Sequence, residues 1–137
     1  QYGPSFMDAI ARSLKPGGRA AIQFIAMADD LFEDYANAAE FIQAYIFPGG
    51  LLIKTSEFRA LAESRGLAWN DQLDFGLDYA ETLRIWRERF DRAAANRSLP
   101  AEFDSRFVEL WRYYLSYCEA GFRCRNLNVH QVTLTKE

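Results

Sequence analysis

Two cysteines, Cys118 and Cys124, and one histidine, His130, are all the thiol and imidazole in this chain of 137 residues. Two thiols cannot staple a disulfide framework, so a reduced, cytoplasmic setting is expected. A lone histidine with no second ligand in a recognisable spacing argues against zinc. Basic residues are scarce too: 16 Lys and Arg against 19 Asp and Glu leave a net charge of −3. No basic stripe is present to release counterions, which argues against nucleic acid as a partner. No apolar run approaches the roughly 18 to 20 residues that a membrane-spanning helix needs. A basic n-region followed by an apolar h-region is missing, as are internal repeats and low-complexity segments. The chain opens on Gln1 inside a helix-like segment rather than on Met, which leads us to expect a piece of a longer protein.

What is abundant is apolar and aromatic. Half the residues are hydrophobic and 15% are aromatic, enough for one domain with a real core. Phe6, Ile10 and Leu14 recur at four-residue steps, one stripe of a helix, with Lys15 as a cation for its last turn. Pro16-Gly17-Gly18 stops that helix. Residues 20–26 then form a short apolar run interrupted only by Gln23, read as a strand buried on both faces. The spacing predicts a helix over 31–46. Thr55 or Ser56 would cap another over 57–64, closed by Gly66. A weaker strand is expected over 67–73.

Asp78 and Glu81 resemble a capping box. Behind them Tyr79, Leu83, Trp86 and Phe90 run at steps of four, three and four, a helix with an aromatic seam. Pro100 suits the first turn of the next helix, which would carry Phe103, Phe107, Leu110, Trp111 and Tyr114 inward. Residues 127–134 read as the last strand, with a phase change between Val129 and Val132 that suggests a bulge near His130 and Gln131. The total is three strands and about five helices: an α/β fold forming the second half of an open sheet with helical insertions.

Chemistry concentrates between Trp111 and Arg125, in the run WRYYLSYCEAGFRCR, where Cys118 and Glu119 are the only adjacent thiol and carboxylate. Leu14-Lys15-Pro16-Gly17-Gly18 before a strand resembles the run into the fifth strand of class I S-adenosylmethionine-dependent methyltransferases. Tyr45-Ile46-Phe47-Pro48-Gly49-Gly50, then Asp74-Phe75-Gly76-Leu77-Asp78-Tyr79, then Tyr117-Cys118-Glu119-Ala120-Gly121-Phe122-Arg123 and finally Gln131 narrow the resemblance. In this order and spacing they are similar to the C-terminal half of cyclopropane-fatty-acyl-phospholipid synthases, a family that includes the mycolic acid cyclopropane synthases. Nearly the whole chain is covered.

The resemblance implies the C-terminal part of a single Rossmann-like methyltransferase domain, spanning 1–137, with helical lipid-binding insertions. It implies methyl transfer from S-adenosylmethionine to a cis double bond of a phospholipid acyl chain, followed by proton loss and closure of a cyclopropane ring. A bicarbonate ion serves the family as the base. The family positions holding it from this half of the fold fall on Tyr79, on the backbone of Ile25 and on Gln23. The last is a departure, since the family has a His there and Gln donates a hydrogen bond without becoming cationic. Bicarbonate is left open by that departure. The family's C-terminal cysteine is matched by Cys118. The glycine-rich loop and the ribose-binding acid of the family have no counterpart here, so no residue of this chain is expected to bind the cofactor, and the chain alone is expected to be inactive.

A cation on an acyl chain needs a dry, electron-rich pocket, which aromatic faces supply. Tyr45, Phe47, Tyr79, Tyr114 and Tyr117 are the candidates for that wall, with core packing as the alternative for each. Gln23 is either a donor to an anion or a core amide bonded to backbone. Cys118 is either a wall of the anion site or a small buried hydrophobe. Glu119 pointed inward would accept the proton itself; on the surface it is a solvated carboxylate at a helix end. Arg84, Arg87, Arg89 and Arg92 offer a peripheral contact with phospholipid headgroups or, interleaved with Glu81, Glu88 and Asp91, a salt-bridged face. Two enzyme alternatives remain, a methyl-branch-forming fatty-acyl methyltransferase and a small-amine N-methyltransferase. A third reading is a non-catalytic lipid-binding or dimerisation module. Without the first strands of the sheet, the strand at 20–26 would have a bare edge, so self-association is expected.

Overall fold

Four strands pair in the order β2-β1-β4-β3. The computed structural model describes residues 3–31 and 53–137. In chain order the elements are α1 (Gly3–Ser13), β1 (Arg19–Met27), β2 (Ile53–Lys54), α2 (Thr55–Glu63), β3 (Leu67–Asp74), α3 (Gly76–Ala95), α4 (Ser105–Arg123) and β4 (Leu127–Lys136). β1 and β4 are antiparallel along their whole length, β3 is antiparallel to β4, and β2 is parallel to β1 at Ala26 and Met27. The helix expected over 31–46 falls mostly outside the described residues. The α/β architecture is as the sequence implies, with the two-residue β2 as an unforeseen fourth strand.

Each face of the sheet carries its own helical layer. Phe24, Ala26, Val132 and Leu134 pack under α1 and α2 with Met7, Phe58 and Ala62. Met27, Leu127 and Val129 pack under α3 and α4 with Ala80, Leu83, Leu115 and Phe122. The second layer covers only one end of its face. Arg19, Ala21 and Gln23 on β1 are exposed, which corrects the expectation of a strand buried on both sides. The run is apolar and does form a strand, but its odd-numbered residues have no helix above them for most of its length.

The phase change in β4 has the same cause. Val129 serves one layer and Val132 the other, and β4 pairs with β1 without interruption. The bulge is in β3 instead, where Asp71 and Gln72 stand opposite the single residue Val132. Asp71 takes φ 52 there, the left-handed conformation that aspartate tolerates better than most residues.

Several helix ends are set by residues remote in sequence. Lys136 donates from Nζ to the carbonyls of Ala11 (2.6 Å) and Leu14 (2.8 Å), so the cation serving the end of α1 comes from β4 and not from Lys15. α2 starts at Thr55 behind Lys54 with no side-chain cap, and Gly66 ends its turn at φ 71 as expected. α3 begins at Gly76, so Asp78 lies within the first turn and no capping box forms. α4 begins at Ser105 behind Asp104, whose Oδ1 accepts from the Phe107 amide at 2.9 Å. Pro100 and Phe103 precede that cap and lie outside the helix; the aspartate four residues on is the stronger start signal.

Candidate active site

The hydrogen-bond parity of β1 decides what its backbone can offer. Lys136 donates to the Gly18 carbonyl (2.9 Å) and Ala28 to the Asn126 carbonyl (3.0 Å), so the hydrogen-bonded pairs with β4 fall on even residues of β1. Ile25 is odd. Its opposite number Val129 gives its carbonyl to the Phe75 amide instead, at 3.0 Å. The N–H and C=O of Ile25 therefore point away from β4, to the outer edge of β1. Among the described residues that edge is paired only where Ala26 and Met27 lie beside Ile53 and Lys54, a parallel register that takes up the Ile25 carbonyl and leaves the Ile25 N–H as its outward donor.

The side chain of Ile25 packs into the layer under α3 and α4, together with Tyr79, Tyr114 and Cys118. Tyr79 is placed by the start of α3. The Asn128 side-chain carbonyl accepts from the Gly76 amide at 2.9 Å and from the Val129 amide at 2.9 Å, fixing the first turn against β4. The Tyr79 ring then meets Phe122 edge-on at 5.0 Å and Trp86 at 5.9 Å. On α4, Tyr114, Leu115, Cys118 and Phe122 recur at helical spacing and share the inward face. Tyr114 is hydrogen-bonded to Cys118 and meets Trp111 edge-on at 5.4 Å. Three candidates named from the sequence, Tyr79, Tyr114 and Cys118, thus meet in one place, and Ile25 packs against the same core cluster.

The cluster is electrically neutral at physiological pH. Burial pushes the Cys118 thiol up from its ordinary 9.0 to about 11, against a smaller downward pull from its bond to Tyr114. Burial, and then the neighbouring Cys118, raise both Tyr79 and Tyr114 above the ordinary tyrosine value. All three groups keep their protons at neutral pH. They can donate hydrogen bonds and line an apolar wall; none of them is a base.

The other candidates lie around this centre. Gln23 is the next residue along the same face of β1, and its Oε1 accepts from Gln131 Nε2 at 2.9 Å. It is exposed here, not a desolvated core amide. Tyr117 stacks on Tyr113 at 6.0 Å on the outer side of α4. Tyr45 and Phe47 lie outside the described residues.

Glu119 is neither of the two things expected of it. Its side chain is only 13% exposed, and it sits between Arg87 of α3 (3.2 Å) and Arg123 (2.8 Å). Arg84 is held by Glu81 (2.7 Å) and by Glu88, so the charged face of α3 is salt-bridged at Arg84 and Arg87. Asn128 carries no local signal in the sequence, since it acts on the start of α3 from β4, and the pairing of Glu119 with Arg87 joins two helices distant in the chain. His130 is buried at 7% exposure, with Nδ1 at 2.5 Å from Asp74 Oδ1, on the face opposite the cluster.

A half-sheet with one full helical layer and an aromatic helical hairpin over the end of its longest ladder is a Rossmann-like methyltransferase fold. The cyclopropane synthase MmaA2 from Mycobacterium tuberculosis superposes with a TM-score of 0.87 at 23% identity, covering 98% of this chain and 50% of its own. The family described as mycolic acid cyclopropane synthetase matches residues 1–132, and the chain belongs to that family. Tuberculostearic acid methyltransferase UfaA1 of Mycobacterium tuberculosis is 39% identical over 98% of this chain and 31% of its own length. Cyclopropane-fatty-acyl-phospholipid synthase of Escherichia coli is 31% identical over 96% of this chain and 33% of its own. The chain therefore spans about a third of these curated relatives.

Proposed function

We propose that this chain is the C-terminal, substrate-side half of an S-adenosylmethionine-dependent methyltransferase that modifies the cis double bond of phospholipid acyl chains. The observation that carries the reading is the convergence of Ile25, Tyr79, Tyr114 and Cys118 at the end of β1, in a chain of this family. S-adenosylmethionine supplies the methyl group when held by the preceding half of the domain; no residue named here is assigned to it.

With the cofactor bound, the alkene π pair would form the new bond to the methyl carbon as the methyl–sulfur bond breaks and its pair stays on sulfur, leaving a cation on the adjacent carbon. Loss of a proton from that methyl group gives its C–H pair to the cation and closes the ring. Tyr79 and Tyr114 present electron-rich faces to such a cation without a charge that would trap it. The neutral thiol of Cys118 keeps the wall dry, and the base has to be an anion from elsewhere. Tyr79 O–H, the outward Ile25 N–H and the amide of Gln23 are neutral donors suited to holding bicarbonate, which would supply that base.

The enzyme is cytoplasmic in this reading and meets its substrate at the inner membrane face. No helix among the described residues is long and apolar enough to cross a membrane. Arg89 and Arg92 are exposed on α3 with no acidic partner among the described residues, and each near-surface cation is worth about 1 kcal/mol to headgroup contact.

A second product deserves its own arm of the test. The relative at 39% identity is named for methyl transfer, and the one at 31% for a cyclopropane product. Gln23 stands where the resemblance implies a His, so two other outcomes compete with ring closure: proton loss from a neighbouring chain carbon gives a methyl-branched alkene, and a hydride shift followed by proton loss from the added methyl gives a methylene branch. Lipids extracted from cells expressing the full-length gene decide between them. Added mass of one carbon and two hydrogens with upfield cyclopropane protons by NMR supports ring closure. The same mass with olefinic protons supports branching, as does the mass of one carbon and four hydrogens where a separate cellular hydride donor has reduced that branched alkene. Unmodified acyl chains would sink both.

A further inference from the structure

We propose that Glu119 is a positioning residue, a charged clamp that sets the register of α3 against α4 and so holds Tyr79 over Cys118. The inference rests on the reading that Tyr79 and Cys118 line the reacting pocket. Its own ground is geometric.

Three polar links cross from α4 to α3 at this level, and Glu119 organises them. Its Oε1 is buried without a hydrogen bond and lies 3.2 Å from Arg87 Nη2, while its Oε2 accepts from Arg123 Nε at 2.8 Å. Arg87 also reaches Ser116 Oγ at 3.3 Å, and Arg123 reaches Glu81 at 3.3 Å. Glu81 and Arg87 lie six residues apart on α3, on either side of Leu83; Ser116, Glu119 and Arg123 lie on successive turns of α4, flanking Cys118 and Phe122. Sliding one helix past the other by a turn breaks the Arg87 and Arg123 links together.

A buried ion pair is a weak source of stability, because desolvation offsets most of the attraction. What it supplies is discrimination between registers, since a slipped register strips the buried Glu119 Oε1 of Arg87, its one cation from α3, and leaves only Arg123 of its own helix on Oε2. The apolar seam alone discriminates poorly: Tyr79 meets Phe122 through an aromatic edge contact that a small slide would preserve. With both oxygens committed to arginines, Glu119 is not free to take a proton from substrate. Its influence on the reaction runs through the position of Tyr79.

The test uses the full-length enzyme with unsaturated phospholipid vesicles and S-adenosylmethionine. Glu119→Gln keeps the side-chain shape and removes the charge; the expected result is a kcat lower by about tenfold or more, as for a slightly displaced catalytic group, with KM for S-adenosylmethionine unchanged. In a Tyr79→Phe background the same substitution should cost less than about twofold further, because the two act as one unit. Fully multiplicative losses, or no loss from Glu119→Gln, would overturn the clamp. Should Glu119→Gln fail to fold, Arg87→Gln opens the same link from the more exposed side, with the same expectations. If the wild-type enzyme modifies no lipid, the functional reading fails, and the clamp is then read from 3-fluorotyrosine at position 79. A common shift of its fluorine resonance in Glu119→Gln and Arg87→Gln supports the clamp, and an unmoved resonance refutes it.

Discussion

The side-chain carbonyl of Asn128 accepts from the Gly76 amide at 2.9 Å, and this one bond fixes where α3 begins and where Tyr79 stands. A Cβ on residue 76 would sit 2.6 Å from that same oxygen and 3.1 Å from the Asn128 Cα. Gly76→Ala should therefore destabilise the protein by about 1–3 kcal/mol, the usual cost of overpacking a buried contact. Urea unfolding of the full-length protein checks it; a midpoint equal to wild type would mean that β4 and α3 have room to part.

Tyr79→Phe removes the hydroxyl and leaves the ring contacts with Phe122 and Trp86. In the full-length enzyme turnover should fall by about tenfold to a thousandfold, the range for losing one preorganised donor, while cofactor affinity measured by calorimetry stays constant. Equal turnover would take Tyr79 out of the anion site.

The two thiols should behave differently toward a disulfide reagent at pH 8. Cys124 is exposed, whereas Cys118 is held protonated by burial, its pKa raised to about 11. One thiol is expected to react rapidly and the second only on unfolding. The same shift has a stability consequence of definite sign. The folded state binds the proton more tightly than the unfolded one, so the contribution is complete below the ordinary value of 9.0 and is lost as pH rises toward 11. Thermal melts from pH 8 to 11 should show the loss, and Cys118→Ala should remove that part of it.

The outer edge of β1 makes a prediction about assembly. By the parity of the ladder, the N–H and C=O of Arg19, Ala21 and Gln23 point outward with no partner among the described residues. This chain should self-associate through that edge. Ala21→Pro removes an outward N–H that β4 does not use, so it should reduce association and spare the fold. Ile22→Pro, one residue on, removes a ladder bond and should unfold it. Light scattering over a wide concentration range with circular dichroism separates these outcomes, and a wild-type monomer throughout would refute the edge.

Much of the element plan was legible because it is written in local periodicity. Tyr79, Leu83 and Phe90 mark the inner seam of α3, with Trp86 of the same stripe exposed, and Gly66 closes the turn after α2 in the left-handed region as a helix-ending glycine should. Errors arose where a residue answers to a distant partner. Lys136 displaced Lys15 at the end of α1 and Asn128 displaced Asp78 at the start of α3; at the start of α4 the competition was local, and Asp104 outcompeted Pro100. Local signals rank candidates for a cap, and the neighbour that reaches the orphan amide or carbonyl selects among them.

The amino-acid order by itself determined the family, the alternation of helix and strand, and the identities of Tyr79, Cys118, Ile25 and Gln23, because motif spacing and apolar period are properties of contiguous chain. Only the folded structure decided that Gln23 faces outward beside Gln131, that the Ile25 amide points away from β4, and that Glu119 lies between two arginines. Strand parity and ion pairing between helices depend on which distant segments meet, and in what register. No window of neighbouring residues contains that information.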